Sequence, residues 1–474
     1  MQPQSHRFVE AAREAVDDQR LKKALGNMKA GFQNKRAATI AKLPEFQDLR
    51  EQGRQLKDHV LAHLDAYLER FEAKVEESGG KVHWARTAGE AREAVAAICR
   101  AAGARTVTKG KSMVAEEIGL NEHLIAEGFT PIETDLGEYI IQLRGELPSH
   151  IIAPAIHLNR EDVEETFRAH HTGLDPKRRL IEVPDFTNEA RLILRQKFQE
   201  ADVGITGANF LIAETGSTVI VTNEGNGDLT QNLPRVHVVV TSIDKVIPTL
   251  EDVSTLLRLL ARSATGQEFS AYTTFSTGPK RPGDLDGPDA FHVVLVDNGR
   301  SALLGTEAQD VLRCIRCGAC MNHCPVYGAI GGHAYGWVVP GPIGAALDPG
   351  IIGVKEARHL PNASTFCGKC AEVCPMKIPL PKIMHHWRVK EFETRVQPAK
   401  YRRGIGLWAF FARRPGLYRL GSRLGMALLG RLGRRRGRFR SLPLAGAWTR
   451  YRDFPAPEGG TFMAQYRKSG KAGQ

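Results

Sequence analysis

Seven of the eight cysteines in this 474-residue chain fall into two short stretches. The first reads Cys314-Ile-Arg-Cys317-Gly-Ala-Cys320-Met-Asn-His-Cys324-Pro325, the second Cys367-Gly-Lys-Cys370-Ala-Glu-Val-Cys374-Pro375. In the first, three thiols recur at every third residue and a fourth follows after four. A proline closes each stretch. Such spacing lets one loop present three sulfurs to a cubane, while the last cysteine points on to a second cluster. Zinc, the competing metal, takes pairs of cysteines separated by a longer loop in a tetrahedral shell. Four cysteines within eleven residues fit that poorly. The residue types and spacing therefore point to iron–sulfur chemistry. Thiols gathered at ligand spacing, not spread as a disulfide framework, also suit a reducing compartment.

The second stretch is one cysteine short, because Ser364 stands three positions before Cys367. Under the crossed rule of two-cluster ferredoxins, the first cluster takes Cys314, Cys317, Cys320 and Cys374. The second takes Cys324, Cys367 and Cys370. Its fourth position is open to the Ser364 oxygen, another protein ligand, water or a three-iron cluster. The expectation is one complete site and one differentiated site, with ligand and solvent exposure tuning their potentials. Cys99, alone within Ala96-Ala-Ile-Cys99-Arg100, reads as a small buried hydrophobe.

These loops need elements to hold them. Residues 1–80 read as a polar helical layer, with Leu56, Val60, Leu64, Leu68 and Phe71 on one apolar face and a stop at Ser78-Gly79-Gly80. From 81 to 300, β-branched runs alternate with helical stretches. Strands are expected at 106–108, 203–206, 218–222, 236–241 and 291–296, and helices at 89–102, 112–127 and 250–260. That alternation predicts an α/β domain with a mostly parallel sheet. Residues 276–288 are rich in Gly, Pro and Asp and read as a loop. The cysteines occupy 301–386, with an irregular insert around Tyr327–Trp337 expected to screen the clusters from water. From 387 to 474 a basic, partly disordered region is expected, with 455–460 and the last few residues as its disordered parts.

Charge divides along the same line. The chain carries +12, but 21 basic against 4 acidic residues from Arg388 onward give that stretch +17 and leave the remainder at −5. The body is mildly acidic, so the global balance is no argument for nucleic-acid binding. The tail suits partner docking or, with Trp408, Phe410, Phe411 and Leu424 beside its arginines, peripheral contact with a membrane surface. No apolar leader follows Met1, and no run reaches the ~20 apolar residues of a membrane span. A cytoplasmic location is expected.

The α/β region has no complete nucleotide motif. Lys109-Gly110-Lys111-Ser112 shares the end of a P-loop, but Arg105 stands where its first glycine is needed, and no G-x-G-x-x-G follows a strand. The glycine- and hydroxyl-rich stretch 204–227 permits close backbone approach and a polar pocket. Lys111, Glu214 and Asn223 are candidates for an anion or substrate pocket, with plain turn chemistry as the alternative. His150, His157 and His170-His171 read as structural or exposed. There is no Ser-His-Asp or metalloprotease pattern, and no catalytic residue is assigned.

Thr108-Lys-Gly-Lys-Ser-Met113, Glu133-Thr-Asp-Leu-Gly-Glu138 and Ile205-Thr-Gly-Ala-Asn209, placed ahead of the paired cysteine stretches and a basic C-terminal region, resemble the lactate-utilisation iron–sulfur family. This is the B subunit of a three-component L-lactate oxidation system, and the resemblance covers nearly the whole chain. It implies an α/β lactate-utilisation domain similar in fold to the ribose-phosphate isomerase and CoA-transferase-like group. An α-helical ferredoxin-like domain with two 4Fe-4S clusters would follow. It implies electron transfer during oxidation of L-lactate to pyruvate, with a cysteine-rich A subunit and a lactate-utilisation-domain C subunit as partners. The family pattern also has three cysteines in the second motif. The alternatives are an electron-transfer subunit of another 2-hydroxyacid or glycerol-phosphate dehydrogenase, or an oxidoreductase subunit that binds substrate itself.

Overall fold

A computed structural model of the chain describes residues 2–443, 445–449, 452–458 and 460–468. Two compact units follow one another, Met1–Glu393 and Thr394–Gln474.

The first unit is built on a parallel sheet. Ten strands occur in it: β1 (Lys81–Ala85), β2 (Thr106–Lys109), β3 (Thr130–Glu133), β4 (Val203–Thr206), β5 (Phe210–Ile212), β6 (Ser217–Thr222), β7 (Val236–Ser242), β8 (Val246–Ile247), β9 (Tyr272–Ser276) and β10 (Ala290–Val296). Six form one sheet in the order β1-β10-β7-β4-β2-β3, with every pairing parallel. Alternate side chains serve opposite faces, as the period of two requires. Val238, Val240, Val294 and Val296 pack with Val95, Cys99 and Ile118. Val239, Val293 and Leu295 pack with Val60, Leu68 and Phe71 from the N-terminal helices. Both faces being covered, the central strands read as near-continuous apolar runs.

Two long helical readings break in the middle. The Leu56–Phe71 stripe belongs to two helices, Phe46–Ala62 and Leu64–Glu77, separated at His63 with ψ 37°. The 112–127 stretch divides into Met113–Glu117 and Leu120–Ala126 at Gly119, whose φ of 66° ends the first helix. The short strands β5, β8 and β9 have no clear period. With β6 they make a second sheet, β8-β5-β6-β9.

A third core joins this second sheet, the helix Leu250–Ala264, the first N-terminal helices and the cysteine region. The N-terminal helices thus cover both the main sheet and the cysteine loops. The helix Leu380–Glu393 carries the chain past residue 387 before the second unit begins. That unit contains the helices Ala399–Ala412 and Pro415–Gly433, with the short antiparallel pair Arg438–Phe439 and Phe454–Pro455. Residues 459 and 469–474, within the segments expected to be disordered, lie outside the described residues.

Candidate functional site

The two cysteine stretches fold as a repeated loop. Arg316 and Phe366, each one residue before a cysteine, have φ of 58° and 55°. Gly318 and Gly368, each one residue after it, have φ of 70° and 81° and open short helices, Ala319–Asn322 and Lys369–Val373. The Arg316 N–H donates to Cys314 Sγ at 3.3 Å, and the Phe366 N–H donates to Ser364 Oγ at 3.1 Å. Ser364 therefore stands in the second loop where Cys314 stands in the first. It lines one small cavity together with Cys324, Cys367 and Cys370.

The other cysteines meet around the first loop. Burial, then the nearby Cys374 and Cys314 thiolates, push the Cys317 thiol up to about 12. Burial and the Cys314, Cys317 and Cys374 thiolates push Cys320 well up. Cys370 is raised to about 12 by burial, then by Cys324 and Cys367. Such crowding of buried thiols calls for bound positive charge. Peptide N–H groups already lower the cost of thiolate at Cys374, from Ile378 and Met376, and at Cys324, from Tyr327 and Val326. Among the described residues, the trio of His, Cys, Asp or Glu ligand atoms found within 4.8 Å of one another is Glu116, Glu133 and Glu138. The donor set fits iron–sulfur clusters.

The surroundings come from distant sequence. Arg50 donates to the Cys374 carbonyl from Nε at 3.1 Å and Nη2 at 2.6 Å, and Arg36 Nη2 donates to the Val373 carbonyl at 2.8 Å. Sequence reasoning missed both arginines, which sit on unremarkable polar helices. Tyr327, Tyr335 and Trp337 of the insert are buried, and the Tyr327 hydroxyl donates to the Ser149 carbonyl at 2.6 Å. His150 is buried beside the first loop. Its Nδ1 accepts from the Ile152 and Ala153 N–H groups at 3.0 Å, so Nε2 donates to Asn322 Oδ1 at 2.9 Å. Burial pulls it down to about 4, keeping it neutral. Cys99 is buried in the sheet-facing core, and burial pushes its thiol up to about 12.

A crevice of about 570 Å³ opens beyond the carboxyl ends of β2, β4 and β7. The connections from β2 to β3 and from β4 to β7 run in opposite directions there, which makes it the switch point of the sheet. Lys111 and Asn223 line the crevice. Lys111 Nζ donates to the Ile152 carbonyl at 3.0 Å and lies 3.3 Å from Asp135 Oδ2. Glu214 does not join them: its Oε2 accepts from the Leu250 N–H at 3.0 Å, at the start of a helix. The P-loop-like residues are otherwise engaged. Lys109 Nζ sits 2.7 Å from Glu116 and 2.8 Å from Glu133, filling the carboxylate trio with the chain's own ammonium. Ser112 Oγ accepts from the Ala115 N–H at 3.2 Å as a helix cap.

Family models match the chain in three consecutive parts: a LUD domain over 68–296, a 4Fe-4S dicluster domain over 310–378, and the C-terminal part of lactate utilisation protein B over 393–471. The class is thus an iron–sulfur protein in which a LUD domain precedes two cluster sites. "Lactate utilization protein B" of Bacillus subtilis is 40% identical over 96% of this chain and 95% of its own. That of Macrococcus caseolyticus is 41% identical over the same shares. The "uncharacterized electron transport protein YkgF" of Escherichia coli is 40% identical over 97% of this chain and 96% of its own. The chain belongs to the lactate utilisation protein B family.

Proposed function

We propose that this chain is the iron–sulfur electron-transfer subunit of a system that oxidises L-lactate to pyruvate, allowing lactate to serve as a carbon source. Two paired cysteine loops behind a LUD domain carry the reading, together with the names of the full-length relatives. Cys314, Cys317, Cys320 and Cys374 hold the first cluster. Cys324, Cys367 and Cys370 hold the second, with Ser364 Oγ at its fourth corner. The equivalent N–H bonds to Cys314 Sγ and Ser364 Oγ support that last assignment. When bound, the clusters supply stepwise one-electron acceptance and donation. The chain's own part is to bury the sulfurs, direct peptide N–H groups at them and set Arg36 and Arg50 beside the Cys374 turn.

Lactate gives up two electrons and two protons in becoming pyruvate. A partner must therefore supply the centre that takes the pair and passes electrons on singly. The partners are a cysteine-rich A subunit and a LUD-domain C subunit. The α/β half is read as a relative of the ribose-phosphate isomerase and CoA-transferase-like folds, on the strength of its parallel sheet. The location is cytoplasmic, as ligand-spaced thiols suit. Among the described residues no helix is long and apolar enough to cross a membrane. Peripheral membrane contact is proposed for the basic tail, which exposes Trp408, Phe410, Phe411 and Leu424 beside its arginines.

Anaerobic protein is expected to show two distinguishable clusters by EPR and iron analysis. Ser364→Cys should make the second resemble a fully thiolate-ligated cubane, and Cys324→Ser should remove the second while sparing the first. An unchanged spectrum in Ser364→Cys would refute the ligand assignment. Turnover of L-lactate with an artificial acceptor by this chain alone would refute the carrier reading.

A further inference from the structure

The crevice at the sheet's switch point is continuous with the first cysteine loop, because Arg316 of that loop is part of its wall. Lys245, following β7, is part of it too, and its Nζ donates to the Cys314 carbonyl at 3.3 Å. The Asp244 carboxylate is the nearest counter-charge to Lys245, and Arg316 adds a second cation to the same neighbourhood. Four buried polar atoms on the same wall have no hydrogen-bond partner: Thr222 Oγ1, Asn226 Oδ1, Thr241 Oγ1 and Arg316 Nη1. Buried polar atoms are ordinarily paired, and these four leave donors and acceptors along the wall without a protein partner. The rest of the wall is mixed: Lys111, paired with Asp135, and Asn223 and Glu224 are on it, and Ile140, Ile152, Val221 and Leu260 form its apolar part. At about 570 Å³ the space is within the range of sites for cofactor-sized molecules.

We propose that this crevice binds an organic anion with an apolar body, its carboxylate or phosphate end held by Lys245 and Arg316. The anion adds to Asp244 as a counter-charge for the two cations, and the body covers the apolar part of the wall. The site does not depend on the lactate reading, since its argument uses only the crevice. It has one consequence for the cluster beside it. An anion on Arg316 and Lys245 adds negative charge next to the Cys314 loop, making further reduction there harder and lowering that cluster's midpoint potential.

The test is calorimetric titration of the full-length, anaerobically purified protein with flavin mononucleotide, adenosine monophosphate, phenylpyruvate and L-lactate. The uncharged counterparts riboflavin, adenosine and phenylpyruvamide are titrated alongside. At least one of the three larger anions is expected to bind at one site per chain with Kd below about 100 μM. L-Lactate and the matching uncharged counterpart should bind at least about tenfold more weakly. The phosphate and carboxylate probes show which head group the site takes. Lys245→Met should weaken binding about tenfold or more, with cluster absorbance checking assembly. Thr241→Val, away from the cysteine loop, should weaken it about threefold and serves if Lys245→Met fails to assemble. An EPR-monitored redox titration should show one cluster's potential falling on binding and the other's unchanged. No saturable binding by any larger anion, equal binding of its uncharged counterpart, or binding without a shift would each overturn the proposal. Turnover of lactate enters none of these measurements, so failure of the carrier reading would leave the result interpretable.

Discussion

At the scale of single residues, a buried thiolate is stable only where positive charge or donors meet it. On the ligand set proposed above, Arg50 meets the turn of Cys374 through its carbonyl. Arg50→Gln is expected to lower the potential of the first cluster by roughly 60 mV, about tenfold in a one-electron equilibrium. A redox titration that finds both clusters unmoved would show that this arginine only braces the N-terminal helix. Asp348 poses a different problem. It is fully buried, and neither of its carboxylate oxygens has a hydrogen-bond partner. Burial, then the charge of Glu117, push its pKa well above 3.8. The folded chain therefore keeps a proton that the unfolded chain loses. The stabilising contribution is full below about pH 3.8 and is lost as pH rises toward the folded pKa, at no more than ~1.4 kcal/mol per pH unit. Asp348→Asn should remove this slope, so its thermal midpoint should gain on the parent's between about pH 5.5 and pH 8. A constant difference across that range would contradict the buried neutral acid.

At the scale of elements, the strands show why period alone is an incomplete guide. β4, β7 and β10 were legible because covered parallel strands are runs of Val and Ile. β1, with its half-exposed Lys-Val-His-Trp, and the three-residue β5 carry too little pattern to be told from loop. The helices expected at 89–102 and 250–260 were legible, Val183–Gln199 was not named, and the breaks at His63 and Gly119 were missed because the apolar stripe continues through both. Close approach between elements has its own signature. A Cβ on Gly204 would stand 1.8 Å from the Thr230 carbonyl oxygen, on the helix that crosses β4. Backbone on both sides cannot yield, so Gly204→Ala should cost about 3 kcal/mol or more. Chemical denaturation would check this, and a loss within ~0.5 kcal/mol would mean that the helix can slide.

At the scale of the whole molecule, the first unit contains all seven cysteines of the two stretches. Its mixed core runs from Phe8 to Met384 and includes Cys317, Cys320, Cys370 and Cys374. A chain ended after Glu393 is therefore expected to assemble the iron complement of the full protein. Loss of both clusters on that truncation, by iron analysis and absorbance, would show that the basic unit takes part in forming them. The positive charge of the tail was readable as composition, and the spacing of Leu417, Leu420, Leu424 and Leu428 as a short helical stripe, whereas the helix Ala399–Ala412 and the full length of Pro415–Gly433 required the structure.

The sequence by itself determined the chemistry: thiols at a three-residue spacing with a closing proline, and a serine where one thiol is missing. Ligand spacing of that kind is local, because one loop must reach several irons. Only tertiary structure decided what surrounds those thiols. Arg36 and Arg50 reach residues more than 300 positions away. Lys245 reaches Cys314 across 69 positions. The sheet's switch point turns toward the same loop, and Glu214 caps a helix outside the crevice that Lys111 and Asn223 share. Such pairings arise when separate apolar faces are buried in common cores, and burial of that kind leaves no spacing rule along the chain.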